Sequence, residues 1–461
     1  MSTNIPWTVR QGPHGPVPVY VLQFDARGTL TSPRSLEALV EDARNATDLV
    51  VLSHGWNNDW LAATSRYDDF FDHLDTVLRA HPPAADRPFR PVYVGVFWPS
   101  AALVMPWEQG PDIAAGGDGL VGELADELAV LGTDLGPELS GELHALLADP
   151  ALTDPAPADP EVGGDRADLA AEILAHLPVA DADETGAAGA RTDGPALRAV
   201  WEDTLARIEP EPVRPGGIIP DDAGPEDTPA AAPRVAGFNP LELIRSGIRL
   251  ATVRQMKDRA GRVGGAGVAA ALRRLADETS ARIHLVGHSY GGRVVLSAVC
   301  NGPWTGRPVD SVLLLQPALS AWAFASDVDG HPGGYRPAFD RVRNPVITTR
   351  SAHDLPLTRV FHLALRRRAD LGEAQIAGLP PSRFAALGGY GPRGVGAEAL
   401  QIDRMPDVGQ HYPIGEHAVD GRYEVIGVDG TWCIPGHGAV QSDQTAWALL
   451  SQIRAAAHAD G

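Results

Sequence analysis

Apolar residues along this chain follow two rhythms. Short runs bounded by turn residues recur at 17–24 (VPVYVLQF), 48–53 (DLVVLS), 91–98 (PVYVGVFW), 283–286 (IHLV), 309–315 (VDSVLLL), 344–349 (NPVITT) and 423–428 (YEVIGV). Runs that are apolar on both faces predict strands covered on both sides, the setting of a parallel sheet. Between them the spacing lengthens to three and four. Leu36, Leu39 and Val40 after the Ser32-Pro33 start signal, a stretch from roughly Tyr67 to Arg79, and Thr445 to Ala457 read as helices. Six or seven strands alternating with helices predict an α/β chain with a doubly wound, mostly parallel sheet and right-handed crossovers.

The alternation is interrupted between residues 101 and 237. Leucines 120, 124, 128, 131, 135, 139, 143 and 147 keep helical spacing, broken near Gly136-Pro137, and leave one apolar face to bury. That face either caps the strand ends or packs on the core; its entry beside a strand terminus favours the cap. Residues 151–235 hold 18 acidic side chains against 6 Arg and no Lys. Two helical patches, Leu169 to Leu177 and Leu197 to Ile208, interrupt a composition that otherwise reads as a solvated, partly disordered linker. Order resumes at Phe238-Asn239-Pro240, with a long helix marked by Leu241, Ile244, Ile248 and Val253 that continues raggedly through Gly261 to Gly267. The organisation predicted is a core in two parts, 1–100 and 238–461, around an insert at 101–237.

Chemistry enters at residues 282–292, RIHLVGHSYGG, where the strand stops and a helical run, Arg293 to Cys300, follows at once. Gly-x-Ser-x-Gly alone is a weak signal in a chain with 50 glycines. A strand, a tight turn and a helix with a serine at the apex make a nucleophile elbow, which needs small residues two places either side of the serine. Gly287 and Gly291 occupy those places. The helix that follows would aim its unpaired N–H groups at the serine, where an anionic intermediate would form.

A second loop adds to this. The strand at 48–53 ends in His54-Gly55-Trp56-Asn57-Asn58-Asp59, and the strand at 91–98 ends in Trp98-Pro99-Ser100. His-Gly after an early strand with Gly-His-Ser-x-Gly-Gly after a later one resembles the α/β-hydrolase superfamily, and the three motifs together are similar to bacterial members of unassigned function. The resemblance spans about residues 18–100 and 262–455. It implies a sheet of the α/β-hydrolase type and an oxyanion hole from the backbone N–H groups of Trp56 and Tyr290. It also implies the chain order nucleophile, acid, base. Ser289 is then the nucleophile. Asp354, in the loop leaving the strand at 346–349, is the acid, with Asp327 as competitor and a helix N-cap as its second role. His437, in a loop before the terminal helix, is the base; His411 and His417 precede the last strand, and His458 lies near the end of the sequence. Trp98 itself reads as a core aromatic.

Composition narrows the field. A net charge of −21 with no basic patch argues against nucleic acid. Cys300 and Cys433 are too few for a disulfide framework and form no Cys-x-x-Cys pair. His284 and His288 are four apart, but on a strand and turn that spacing does not converge, so no metal and no cofactor is expected. The first thirty residues carry prolines and charges in place of an apolar run, and no stretch nears eighteen apolar residues, which predicts a cytoplasmic chain without membrane insertion. The expected activity is hydrolysis of a small-molecule ester, less readily a thioester or amide, through an acyl-enzyme. An acyltransferase using the same residues, or a scaffold that has kept only the fold, are the alternatives.

Overall fold

A computed structural model describes residues 5–82, 89–100, 124–149, 160–177, 193–207, 240–301, 306–328, 330–360, 385–418 and 421–459. The strands are β1 Thr8–Gly12, β2 Gly15–Gln23, β3 Asp48–Ser53, β4 Pro91–Phe97, β5 Arg282–His288, β6 Ser311–Leu315, β7 Val346–Arg350, β8 Ala399–Ile402, β9 His417–Ala418, β10 Gly421–Arg422 and β11 Val425–Asp429. Nine of them form one sheet in the order β1-β2-β4-β3-β5-β6-β7-β11-β8, with β9 and β10 as a separate antiparallel pair. Every pairing in the large sheet is parallel except β1 with β2. The chain is an α/β protein.

Two strands of this sheet exceed the six or seven expected. Both β1 and β8 are edge strands whose residues are half-buried or exposed, so neither carries the continuous apolar run that marks the inner strands. The helix expected from Tyr67 starts earlier, at Trp60, because Asp59 accepts from the Ala62 N–H and caps it. In the segment expected as an insert, the leucine-spaced run with its break near Gly136-Pro137 is two helices, Ala125–Leu135 and Pro137–Leu147, parted at Gly136. The two later patches are helices Pro160–Leu174 and Gly194–Arg207. The linker segments 178–192 and 208–239, with Phe238 and Asn239 before the long helix, lie outside the described residues. The ragged stretch at 261–267 is helical throughout: Pro240–Arg262 runs through a wide turn at Val263–Val268 into Ala269–Glu278. Its glycines serve close packing, since a Cβ on Gly264 would lie 2.2 Å from the Val294 carbonyl oxygen.

The sheet separates two apolar layers. Leu49 and Val51 of β3 face one, with helices Pro33–Ala43, Pro240–Arg262 and Tyr290–Cys300; Val50 and Leu52 face the other, with Trp60–Ala80 and Asp443–Ala459. Apolar residues of the helices between 125 and 207, among them Leu128, Leu143 and Trp201, join the first layer. Because β3, β5 and β6 are apolar on both faces, a one-residue slip would not expose polar groups, and the pattern alone leaves register weakly specified. A buried polar row at the foot of the sheet specifies it. Arg282 holds Asp48 through two bonds of 2.8 and 3.0 Å, while His284 lies 3.1 Å from Asp48 Oδ1 and 2.8 Å from Ser311 Oγ. Removing one partner of such a row would strand a buried charge at a cost of about 3–5 kcal/mol. With the feet tied, the other ends align: Ser53 opposite Gly287, and His288 opposite Leu315. Among the described residues no helix is long and apolar enough to cross a membrane.

Candidate active site

The connection from β3 runs to β4 on one side, and that from β5 runs to β6 on the other. The helices that follow these strands, Trp60–Ala80 and Tyr290–Cys300, therefore lie on opposite faces and part above the β3/β5 boundary. Such a switch point leaves a crevice at the carboxyl ends of the strands. Ser289 and the His54-Gly55-Trp56 loop sit there.

Ser289 has φ 54° and ψ −124°, a backbone conformation costing about 1–3 kcal/mol for a residue with a Cβ. The turn survives because its neighbours are glycines. A Cβ on Gly287 would lie 2.6 Å from the backbone of Gly291 and Gly292, and one on Gly291 would lie 2.1 Å from the Ser53 carbonyl oxygen. The Ser289 N–H donates to the Leu315 carbonyl at 3.1 Å, fastening the elbow to β6.

Three distant side chains meet at this turn. His437 Nε2 is 2.9 Å from Ser289 Oγ, and His437 Nδ1 is 2.7 Å from Asp354 Oδ2. With a carboxylate accepting at Nδ1, the ring's proton belongs on that nitrogen and its Nε2 lone pair faces the hydroxyl. Ser289 is 4% exposed and the Asp354 side chain 0%, whereas 23% of the His437 side chain remains open. Asp354 also accepts the Leu357 N–H at 3.0 Å through Oδ1, so its capping role coexists with its bond to the histidine. Asp327 is exposed and accepts the Gly330 N–H at 2.9 Å. His411 is likewise exposed and bonds Glu416 at 3.0 Å.

The His54-Gly55-Trp56 loop presses on the serine, a Cβ on Gly55 falling 2.6 Å from Ser289 Cβ. His54 donates from Nδ1 to the Gly55 carbonyl at 2.7 Å and accepts the Trp98 N–H on Nε2 at 3.3 Å, its ring stacked on Trp98. Burial lowers its pKa to about 4, so it stays neutral in that arrangement. Trp98 is fully buried, as a core aromatic. Asn58 donates to the Gly55 and Trp56 carbonyls at 3.1 and 2.7 Å and exchanges bonds with Ser100 at 3.1 and 3.0 Å. Because the Gly55–Trp56 peptide is planar and trans, tying its carbonyl down turns the Trp56 N–H the opposite way. The Tyr290 side chain is buried, its hydroxyl donating to the Val253 carbonyl at 3.2 Å, so it ties helix Tyr290–Cys300 to Pro240–Arg262.

Four further residues, assigned no role at this site from the sequence, bond to its members. Gln316, buried with φ 44° just beyond β6, donates to Asp354 Oδ2 at 3.0 Å and accepts from Thr349 Oγ1 at 3.0 Å. Arg66 joins Asn58 Oδ1 at 2.7 Å to the Gly438 carbonyl at 2.9 Å, and His288 reaches the His437 carbonyl at 2.8 Å. Asn58 and His288 stand inside quoted motifs, where spacing marked them without a role. Gln316 and Arg66 stand in no motif, and the bonds that bring them to the site, to Asp354 and to the Gly438 carbonyl, span 38 and 372 residues.

No family model, curated protein or solved structure matches this chain. Among the described residues no group of three or more His, Cys, Asp or Glu side chains could hold a metal ion.

Proposed function

We propose that this chain is a serine hydrolase of the α/β-hydrolase type that cleaves a carboxylic ester through an acyl-enzyme. The observation that carries the reading is the hydrogen-bonded row from Ser289 Oγ through His437 to Asp354 Oδ2, set beside the N-terminus of an eleven-residue helix. A serine hydroxyl is a poor nucleophile until a base removes its proton, and the base works only if a third group holds its tautomer. In the proposed reaction Ser289 Oγ attacks the acyl carbonyl as its proton passes to His437 Nε2. The charge that develops on the carbonyl oxygen is met by the backbone N–H groups of Trp56 and Tyr290 and by the helix N-terminus. Collapse of the tetrahedral intermediate breaks the bond to the leaving alcohol, which takes the proton from His437. Water, activated by the same imidazole, then releases the acid and restores Ser289.

A fluorophosphonate probe forms a covalent adduct with a serine activated in this way. Wild-type protein should label and Ser289→Ala should not, with p-nitrophenyl esters of increasing chain length then defining the acyl preference. A folded wild-type sample that resists several such probes would overturn the proposal.

A further inference from the structure

We propose that His288 is a positioning residue for the base: its Nε2–H holds the His437 main-chain carbonyl and keeps the imidazole in line with Ser289. This rests on the hydrolase reading above. The need for such a hold follows from the loop. His437 stands between Gly436 and Gly438, residues whose backbones fix little by themselves, and a Cβ on Gly436 would meet nothing within 4 Å. Bonds to its backbone must do the work.

Two donors supply them from separate elements. His288 reaches the His437 carbonyl at 2.8 Å, with the two rings 5.2 Å apart, and Arg66 of helix Trp60–Ala80 reaches the next carbonyl, that of Gly438, at 2.9 Å. His288 precedes Ser289 directly, so one turn carries the nucleophile and the donor that locates its base. A carbonyl acceptor requires the proton on Nε2, leaving Nδ1 as a lone pair that has no hydrogen-bond partner among the described residues. Desolvation by burial, and then the neighbouring His437 and Arg66, hold the His288 pKa well below the ordinary value. The ring therefore donates without placing a second positive charge beside the imidazolium that forms on His437.

The position of the donor decides the test. A Gln amide nitrogen can reach the place of Nε2, an Asn amide nitrogen reaches only that of Nδ1, and Leu donates nothing. Rates of fluorophosphonate labelling at saturation, half-saturating probe concentrations and melting curves are compared for wild type, His288→Gln, His288→Asn and His288→Leu. The expected result is a loss of about 10- to 100-fold in the saturated rate for Leu and Asn. Half-saturation should be unchanged, and Gln should recover most of the rate. If Leu does not fold, Asn against Gln makes the same comparison. A folded Leu or Asn variant labelling as fast as wild type, or a Gln variant as slow as Asn, overturns the assignment while leaving the hydrolase reading standing. A wild type that does not label at all overturns both.

Discussion

The approach of the Gly55 loop to Ser289 leaves no room for a side chain, and filling it tests what the loop does. In Gly55→Ala the new Cβ would stand 2.6 Å from Ser289 Cβ, 3.1 Å from the His288 carbonyl oxygen and 3.2 Å from His288 Nδ1. Ordinary contact begins near 3.4 Å, so loop and elbow must part by about 1 Å. The elbow cannot give way freely, since Gly287 and Gly291 already pack backbone against backbone. Most of the movement falls on the loop that carries the Trp56 N–H. A displacement of about 1 Å in a catalytic group costs about 100-fold in rate, equivalent to about 2.7 kcal/mol of transition-state stabilisation. The measurement is the saturated rate of fluorophosphonate labelling and of p-nitrophenyl ester turnover, with circular dichroism melting to establish folding. Gly141→Ala is the control: it lies within helix Pro137–Leu147, its Cβ would meet nothing within 4 Å, and the rate should not change. That control should also gain up to about 1 kcal/mol in stability. A folded Gly55→Ala protein that reacts within about twofold of wild type would refute the reasoning, because the loop would then not bear on the serine.

Asp354→Asn should fold, since an amide oxygen can still accept the Leu357 N–H, yet lose activity by about 10,000-fold because an amide cannot hold the Nδ1–H tautomer of His437; retained ester turnover would assign the acid elsewhere. His54 predicts an acid limit on stability. Its pKa falls from 6.5 to about 4 on folding, so between those values the unfolded chain binds more protons and folding weakens as pH drops. The contribution is intact above pH 6.5 and lost progressively down to 4, amounting to about 3 kcal/mol. Urea unfolding from pH 7 to 4 should show a smaller loss for His54→Gln than for wild type, and parallel curves would remove His54 from the account.

Local pattern made the inner architecture legible, because strands buried on both faces are apolar at most positions and do not alternate as a surface strand does. The elbow was legible for a related reason: its turn tolerates only glycine two places either side of Ser289, so its geometry is written within five consecutive residues. Chain order then placed Asp354 and His437 in loops, but not their contact, which depends on bonds spanning 83 and 148 residues. The edge strands β1 and β8 left little trace, since a half-exposed strand has no need to be apolar. Register was also beyond the pattern. Strands apolar on both faces can slide without exposing a polar side chain, and only the buried row of Asp48, Arg282, His284 and Ser311 specifies which residues stand opposite. Sequence thus determined which residue types are present and on which loops, because periodicity and backbone sterics are local. The fold decided which loops meet and which side chains hold them, because Gln316, Arg66 and His288 act through partners brought near only when the sheet closes its layers.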